Sequence, residues 1–128
     1  MTKFILLAAG GAIGTILRYS LSGLTHRFLT GIFPWGTLLV NLTGSFAIGL
    51  LWGLFEIENM TSNMRTFIFI GLLGGFTTFS SFTLESFNLL RDGEIRLAVS
   101  NMLVSNIMGL ALVFAGFFIS RYIINLVK

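Results

Sequence analysis

Between Gly71 and Glu85 the chain reads GLLGGFTTFSSFTLE. Thr77, Thr78, Ser80, Ser81 and Thr83 crowd hydroxyls into a few residues, and Phe79 and Phe82 are spaced to share one helix face. The surrounding oily segment, from about Arg65 to Leu90, is long enough to cross a bilayer, which takes roughly 20 helical residues. Its middle is wrong for a plain span. Gly74 and Gly75 weaken the helix, and hydroxyls at hydrocarbon depth need partners. Irregular backbone is tolerated there only when buried in protein or lining a polar cavity, so the sequence predicts a helix broken near its middle. The chemistry this offers is ion handling. Freed carbonyls can hold a cation, while hydroxyls and ring edges can line a pathway. Glu85, in the last turns of the same span, is an intramembrane carboxylate: a functional candidate, or a structural acceptor for neighbouring hydroxyls.

Four spans must position these groups, in one transmembrane domain covering residues 1–128. The first is expected from Phe4 to Leu21, with Gly10 and Gly14 forming a GxxxG pair that lets another helix approach. Arg18, near its end, either snorkels to the interface or faces a water-filled vestibule. Ser22 to Pro34 reads as a polar connection carrying His26 and Arg27. The second span runs from Trp35 to Phe55 and takes Asn41, Thr43 and Ser45 into the membrane. Asn41 serves either an interhelical hydrogen bond or a pore. Glu56 to Met64 is a short polar turn before the third span, and Arg91 to Arg96 a charged turn after it. The fourth span, from Leu97 to Val127, is longer than a crossing needs, so it tilts or emerges. Asn101 and Ser105 share one of its faces, and Gly109 and Gly116 are expected contact points.

Composition supports this architecture and excludes much else. Of 128 residues 55% are hydrophobic and 10% charged, against about 25% charged in soluble domains. There are no cysteines, so no disulfide or thiolate metal site, and the lone His26 has no ligand cluster. A net charge of +3, scattered near span ends, does not suit nucleic acid. No nucleophile–histidine pair, carboxylate pair or nucleotide fingerprint is present, and GLLGG lacks the lysine of a phosphate loop. The sequence therefore predicts no enzyme.

Charge bias and polarity point to assembly. Lys3, Arg65, Arg121 and Lys128 fall on one side of a four-span topology, and Arg18, Arg27, Arg91 and Arg96 on the other. Orientation follows Lys/Arg bias, which here is close to nil, so insertion both ways and an antiparallel dimer become possible. Four short helices cannot enclose a polar path and keep lipid outside, which favours a two-fold oligomer. A lining of Asn, Ser, Thr and Phe with few charges does not suit a cation channel. It suits a small, strongly hydrogen-bonding anion, helped by the positive edges of phenylalanine rings. With 14 Phe in the chain, Phe79 and Phe82 as lipid-facing or core filler is the alternative.

GLLGGFTTFSSFTLE resembles the third-helix motif of the Fluc (CrcB) fluoride channels. GTLLVNLTGSF, residues 36–46, resembles that family's second-helix motif, and GGAIGTILRY, residues 10–19, its first-helix pattern ending in arginine. The resemblance covers essentially the whole chain. It implies an antiparallel, dual-topology homodimer in the bacterial plasma (inner) membrane, with two pores passing fluoride passively out of the cytoplasm. It implies a central structural sodium ion on the carbonyls of Gly74 and Thr77. It makes Phe79, Phe82 and Asn41 pore residues and puts Arg18 at the vestibule. Ser80, Ser81 and Glu85 join a polar track, and Ser105 falls at a pore serine. Asn101 stands where a tyrosine is expected, and Gly109 where a second serine can occur. The expected partners are fluoride, membrane lipid and a second copy of the chain. Two other readings stand beside this one. A small dual-topology multidrug cation exporter is disfavoured because the first span carries Arg18 and no acid. A packing-only membrane scaffold would pass no ion.

Overall fold

A computed structural model describes residues 1–55 and 60–127; they are helical apart from short connections. Helix α1 is Thr2–Phe28 and α2 is Trp35–Phe55. The third span is α3, residues 62–76, followed by α4, Phe79–Arg91, and the fourth is α5, Ile95–Val127. Among the described residues 4 stretches are long and apolar enough to cross a membrane: α1, α2, Ser62–Arg91 and α5. The expected turn from Glu56 to Met64 falls partly outside the described residues, as does Lys128. Its described part shows Thr61 capping α3, its hydroxyl accepting from the Met64 N–H.

The chain departs from the sequence expectation at the end of the first span. Helix α1 does not stop at Leu21 but runs on through Thr25, His26 and Arg27. Basic side chains in a last turn face the negative end of the helix dipole, so polarity here does not break the helix. The Thr25 hydroxyl donates to the Leu21 carbonyl at 2.7 Å, which keeps a buried polar group satisfied inside the helix. The helix ends at Phe28, Leu29 is extended (φ −116°, ψ 97°), Gly31 takes φ 136°, and Pro34 then precedes α2. The α4–α5 turn uses Gly93 with φ 82°.

Packing follows two small-residue seams. Along α1, a side chain at Gly14 would strike the Leu72 carbonyl and come within 2.8 Å of the Phe76 nitrogen. One at Gly75 would come within 2.7 Å of the Gly11 carbonyl. The GxxxG pair of α1 therefore receives α3, backbone against backbone. On the other seam Gly49 lies against Val113, Gly53 against Ser120, and Gly116 against Phe46 and Leu50. Both pairings advance in the same chain direction, so the first and third spans are parallel, as are the second and fourth. Both termini consequently leave on one side.

The third span changes neighbours part-way. Helix α3 packs on α1, whereas α4 packs chiefly on α5. Between Thr66 and Leu73 α3 widens to π-helical hydrogen bonding, a form often found next to functional sites. The glycines are not where it breaks: Gly74 keeps helical angles of φ −65° and ψ −35°. The chain leaves the helix at Thr77 (ψ 157°) and Thr78 (φ −147°, ψ 117°), both extended. The glycines thin the helix for close packing, and the threonines make the interruption.

Large apolar side chains mostly point outward, Phe4, Ile16, Ile70, Phe79, Ile107 and Phe118 among them. The surface of 8351 Å² exceeds the ~6,700 Å² of a compact soluble monomer of this mass. Such a face is suited to lipid or to a second protein surface.

Candidate functional site

The site is built around Thr78. In a continuous helix its N–H would go to the Gly74 carbonyl. Here it donates to Asn41 Oδ1 at 2.8 Å, and Asn41 Nδ2 donates back to the Thr78 carbonyl at 3.0 Å. One amide side chain from α2 thus replaces the partners that the interruption removed, which is what buried backbone at membrane depth requires. The Thr78 hydroxyl accepts from the Ser81 N–H at 3.2 Å, so Thr78 is the N-cap of α4. The same hydroxyl donates to Ser81 Oγ at 3.0 Å and lies 3.4 Å from Ser80 Oγ. On the α3 side the Leu73 carbonyl accepts from both the N–H and the hydroxyl of Thr77, each at 3.0 Å. Gly74, released from the Thr78 N–H, is exposed.

A cavity of about 340 Å³ opens on the interruption, lined by Asn41, Ser45, Gly74, Thr77, Thr78 and Phe79 among others. A second, about 260 Å³, lies toward the C-terminal end of α1 and includes Arg18, Ser22, Thr37, Thr78, Ser81 and Glu85. Thr78 borders both. The first is mostly apolar with an amide and hydroxyls; the second carries a cation and a carboxylate. Thr37 donates to Glu85 Oε1 at 2.6 Å, and Glu85 Oε2 is buried without a hydrogen bond among the described residues. Arg18 is half-buried on the same wall and forms no ion pair with Glu85 among the described residues.

Phe79 and Phe82 do share a face: their ring centroids are 5.7 Å apart at 47°. They differ in setting, Phe79 being 75% exposed and Phe82 9%. Ser80 is exposed beside Phe79. Ser105 lines neither cavity; its hydroxyl donates to Asn101 Oδ1 at 3.4 Å. Asn101, 1% exposed, sits in the α4–α5 seam. Gly109 is buried, and a side chain there would meet Ser45 Oγ at 3.5 Å.

The structure thus gathers Asn41, Thr77 and Phe79 at the first cavity and Arg18, Ser81 and Glu85 at the second. The sequence reading did not single out Thr37 as the partner of Glu85, Thr78 as the cap, or Ser86 next to Asn101. Thr37 had a signal, since it lies one turn before Asn41 on the same face of α2. Thr78 had one as well: a threonine immediately before an apolar helical residue is an N-cap candidate.

Residues 5–117 match the family model described as CrcB-like protein, Camphor Resistance (CrcB). The chain belongs to the CrcB/FluC family. A protein of Parabacteroides distasonis named fluoride-specific ion channel FluC is 48% identical over 128 residues, covering 100% of both chains. Proteins of the same name match from Desulforapulum autotrophicum, 44% identical over 94% of this chain and 98% of the relative, and from Salinibacter ruber, 46% identical over 91% and 87%. CrcB/FluC proteins are ion channels rather than enzymes, and this one is a multi-pass membrane protein with 4 candidate spans.

Proposed function

We propose that this protein is a passive fluoride-selective channel of the bacterial plasma membrane, acting as an antiparallel dual-topology homodimer with two pores. The observation that carries the reading is the interrupted third span. It is held open by the Asn41–Thr78 pairing and flanked by the paired rings of Phe79 and Phe82, in a chain 48% identical to a named fluoride channel. Fluoride is small and strongly hydrated, so a pathway must return hydrogen bonds without holding the ion too tightly. Asn41 spends one N–H on Thr78 and keeps the other; Ser80 and Ser81 add hydroxyls. The ring edges of Phe79 and Phe82 offer weak positive potential without a fixed charge. Arg18 at the second cavity draws anions toward the entrance by its field. Glu85, held by Thr37, orders the hydroxyls of that wall.

Two features support the dimer. Phe79 is largely exposed on a single chain, although it borders the site. Thr43, Ser80, Thr83 and Asn106 are also exposed within spans. A second copy in the opposite orientation covers these positions and sets one subunit's rings against the other's Asn41. Ser105 then faces the shared pathway from α5.

The sodium ion fits the same interruption. Gly74 is exposed and its carbonyl is released from the Thr78 N–H, a side chain there would meet, among the described residues, the Phe69 carbonyl at 3.7 Å, and Thr77 is extended. No group of three His, Cys, Asp or Glu among the described residues competes as a metal site. Carbonyls of Gly74 and Thr77 from both subunits would hold the ion, which supplies positive charge that ties the two broken helices together. In a planar bilayer with a fluoride gradient, the purified protein is expected to pass current that reverses at the fluoride equilibrium potential. A reversal set by cations, or no current from folded protein, refutes the proposal.

A further inference from the structure

Helix α4 carries both rings, and side-chain hydrogen bonds fasten it at three points. Two of them run to α2, from Asn41 to Thr78 and from Thr37 to Glu85. The third joins it to α5: Asn101 Nδ2 donates to Ser86 Oγ at 3.0 Å. Among the described residues this is the side-chain hydrogen bond between α4 and α5. It is buried at both ends, Asn101 being 1% exposed and Ser86 3%.

The bond belongs to a directed chain. Ser86 Oγ donates to the Phe82 carbonyl at 2.8 Å, one helical turn back. With its proton committed, the Ser86 hydroxyl can only accept, so it requires an N–H opposite. Asn101 supplies it, and Ser105 fills the amide's other end by donating to Oδ1 at 3.4 Å. The order is therefore Ser105 to Asn101 to Ser86 to the Phe82 backbone. Each bond polarises the next in a low dielectric. Leu89 on α4 and Ala98 on α5 are buried, but apolar contacts do not fix rotation about the α4 axis. A directional bond at a buried position does.

We infer that Asn101 and Ser86 are positioning residues for the ion pathway: they set the rotation of α4 on α5 and so hold Phe82, with the tilted ring of Phe79 beside it. The inference rests on the reading of these rings as pathway residues. Losing the bond lowers the population of the competent α4 position by the bond's free energy. Interhelical hydrogen bonds in membranes correspond to about 3- to 18-fold in an equilibrium.

The test uses the full-length protein in proteoliposomes, with Asn101→Leu, Ser86→Ala, the double variant, and Ser100→Ala as an exposed neighbour. Fluoride efflux is expected to fall in each of the first two, by up to about 18-fold. The double variant should be no worse than the poorer single one, because both remove the same chain. Ser100→Ala should match the parent. Independent losses that multiply in the double variant, or single variants with parental flux, would overturn the inference.

A second readout does not depend on conduction. Carbonyl-13C phenylalanine with 15N threonine labels the chain at its two Phe–Thr steps, Phe76–Thr77 and Phe82–Thr83. In solid-state NMR the Phe82 carbonyl signal should shift in Ser86→Ala and in Asn101→Leu, while Phe76 stays as the internal control. An unmoved Phe82 signal overturns the positioning role. A moved signal in a parent protein that passes no fluoride leaves the chain of bonds intact and overturns the fluoride reading instead.

Discussion

Asn41→Leu removes the group that holds the third span open. The substitution keeps the branched shape and the number of side-chain heavy atoms and strips both bonds to Thr78, of 2.8 and 3.0 Å. Thr78 is 9% exposed, so water does not readily replace the amide. Interhelical side-chain bonds in membranes average about 0.6 kcal/mol, which sets a floor of about 1.2 kcal/mol for two. Stranding a buried polar group costs about 1–3 kcal/mol, which sets a ceiling near 6 for two. The stranded groups here are backbone and cannot move to a new partner unless the helix reforms. The expected loss is therefore about 2–4 kcal/mol, between those limits. If the helix does reform, the Thr78 N–H returns to the Gly74 carbonyl and Phe79 rotates away, so conduction falls either way. Reversible denaturation in mixed micelles measures the stability, and fluoride efflux measures the pathway. A variant within 0.5 kcal/mol of the parent and with parental flux would show that the Asn41–Thr78 pairing does not maintain the interruption.

Three further outcomes are expected. Phe79→Ile and Phe82→Ile keep an apolar lining and remove the ring edges; folded protein should remain, with fluoride efflux lowered by about tenfold or more, the size of an aromatic contact of ~1.5 kcal/mol. Undiminished flux would remove the rings from the mechanism. Gly14→Val drives a branched side chain into the Leu72 carbonyl and should cost about 1–3 kcal/mol or more, seen as a lowered melting temperature in detergent. A parental melting curve would mean the α1–α3 seam is looser than the structure shows. Reconstitution without sodium, with potassium or a large organic cation in its place, should lower fluoride flux and weaken the dimer on crosslinking. Equal flux and crosslinking would exclude an ion at Gly74 and Thr77.

The sequence made the spans legible because hydrocarbon thickness and apolar run length leave little choice. The start of α2 at Trp35 was legible from the proline before it and the interfacial tryptophan. The end of α1 was not. Its last turns are polar yet helical, and the helix dipole accommodates His26 and Arg27. The interruption near the middle of the span was legible from the paired glycines and the hydroxyl density, but the residues that leave the helix were not. Extended backbone falls at Thr77 and Thr78, where a side chain can cap the next helix. Partnerships between distant positions were the least visible. Nothing local to Glu85 names Thr37, and nothing local to Asn101 names Ser86, because both pairs follow from how α4 seats against other spans.

The central claim is selective, passive fluoride conduction. Proteoliposomes loaded with either fluoride or chloride, with valinomycin carrying the compensating potassium, test it most directly. Rapid fluoride loss with chloride retained is the predicted result. Retention of both anions by folded, reconstituted protein, or equal loss of both, would contradict it.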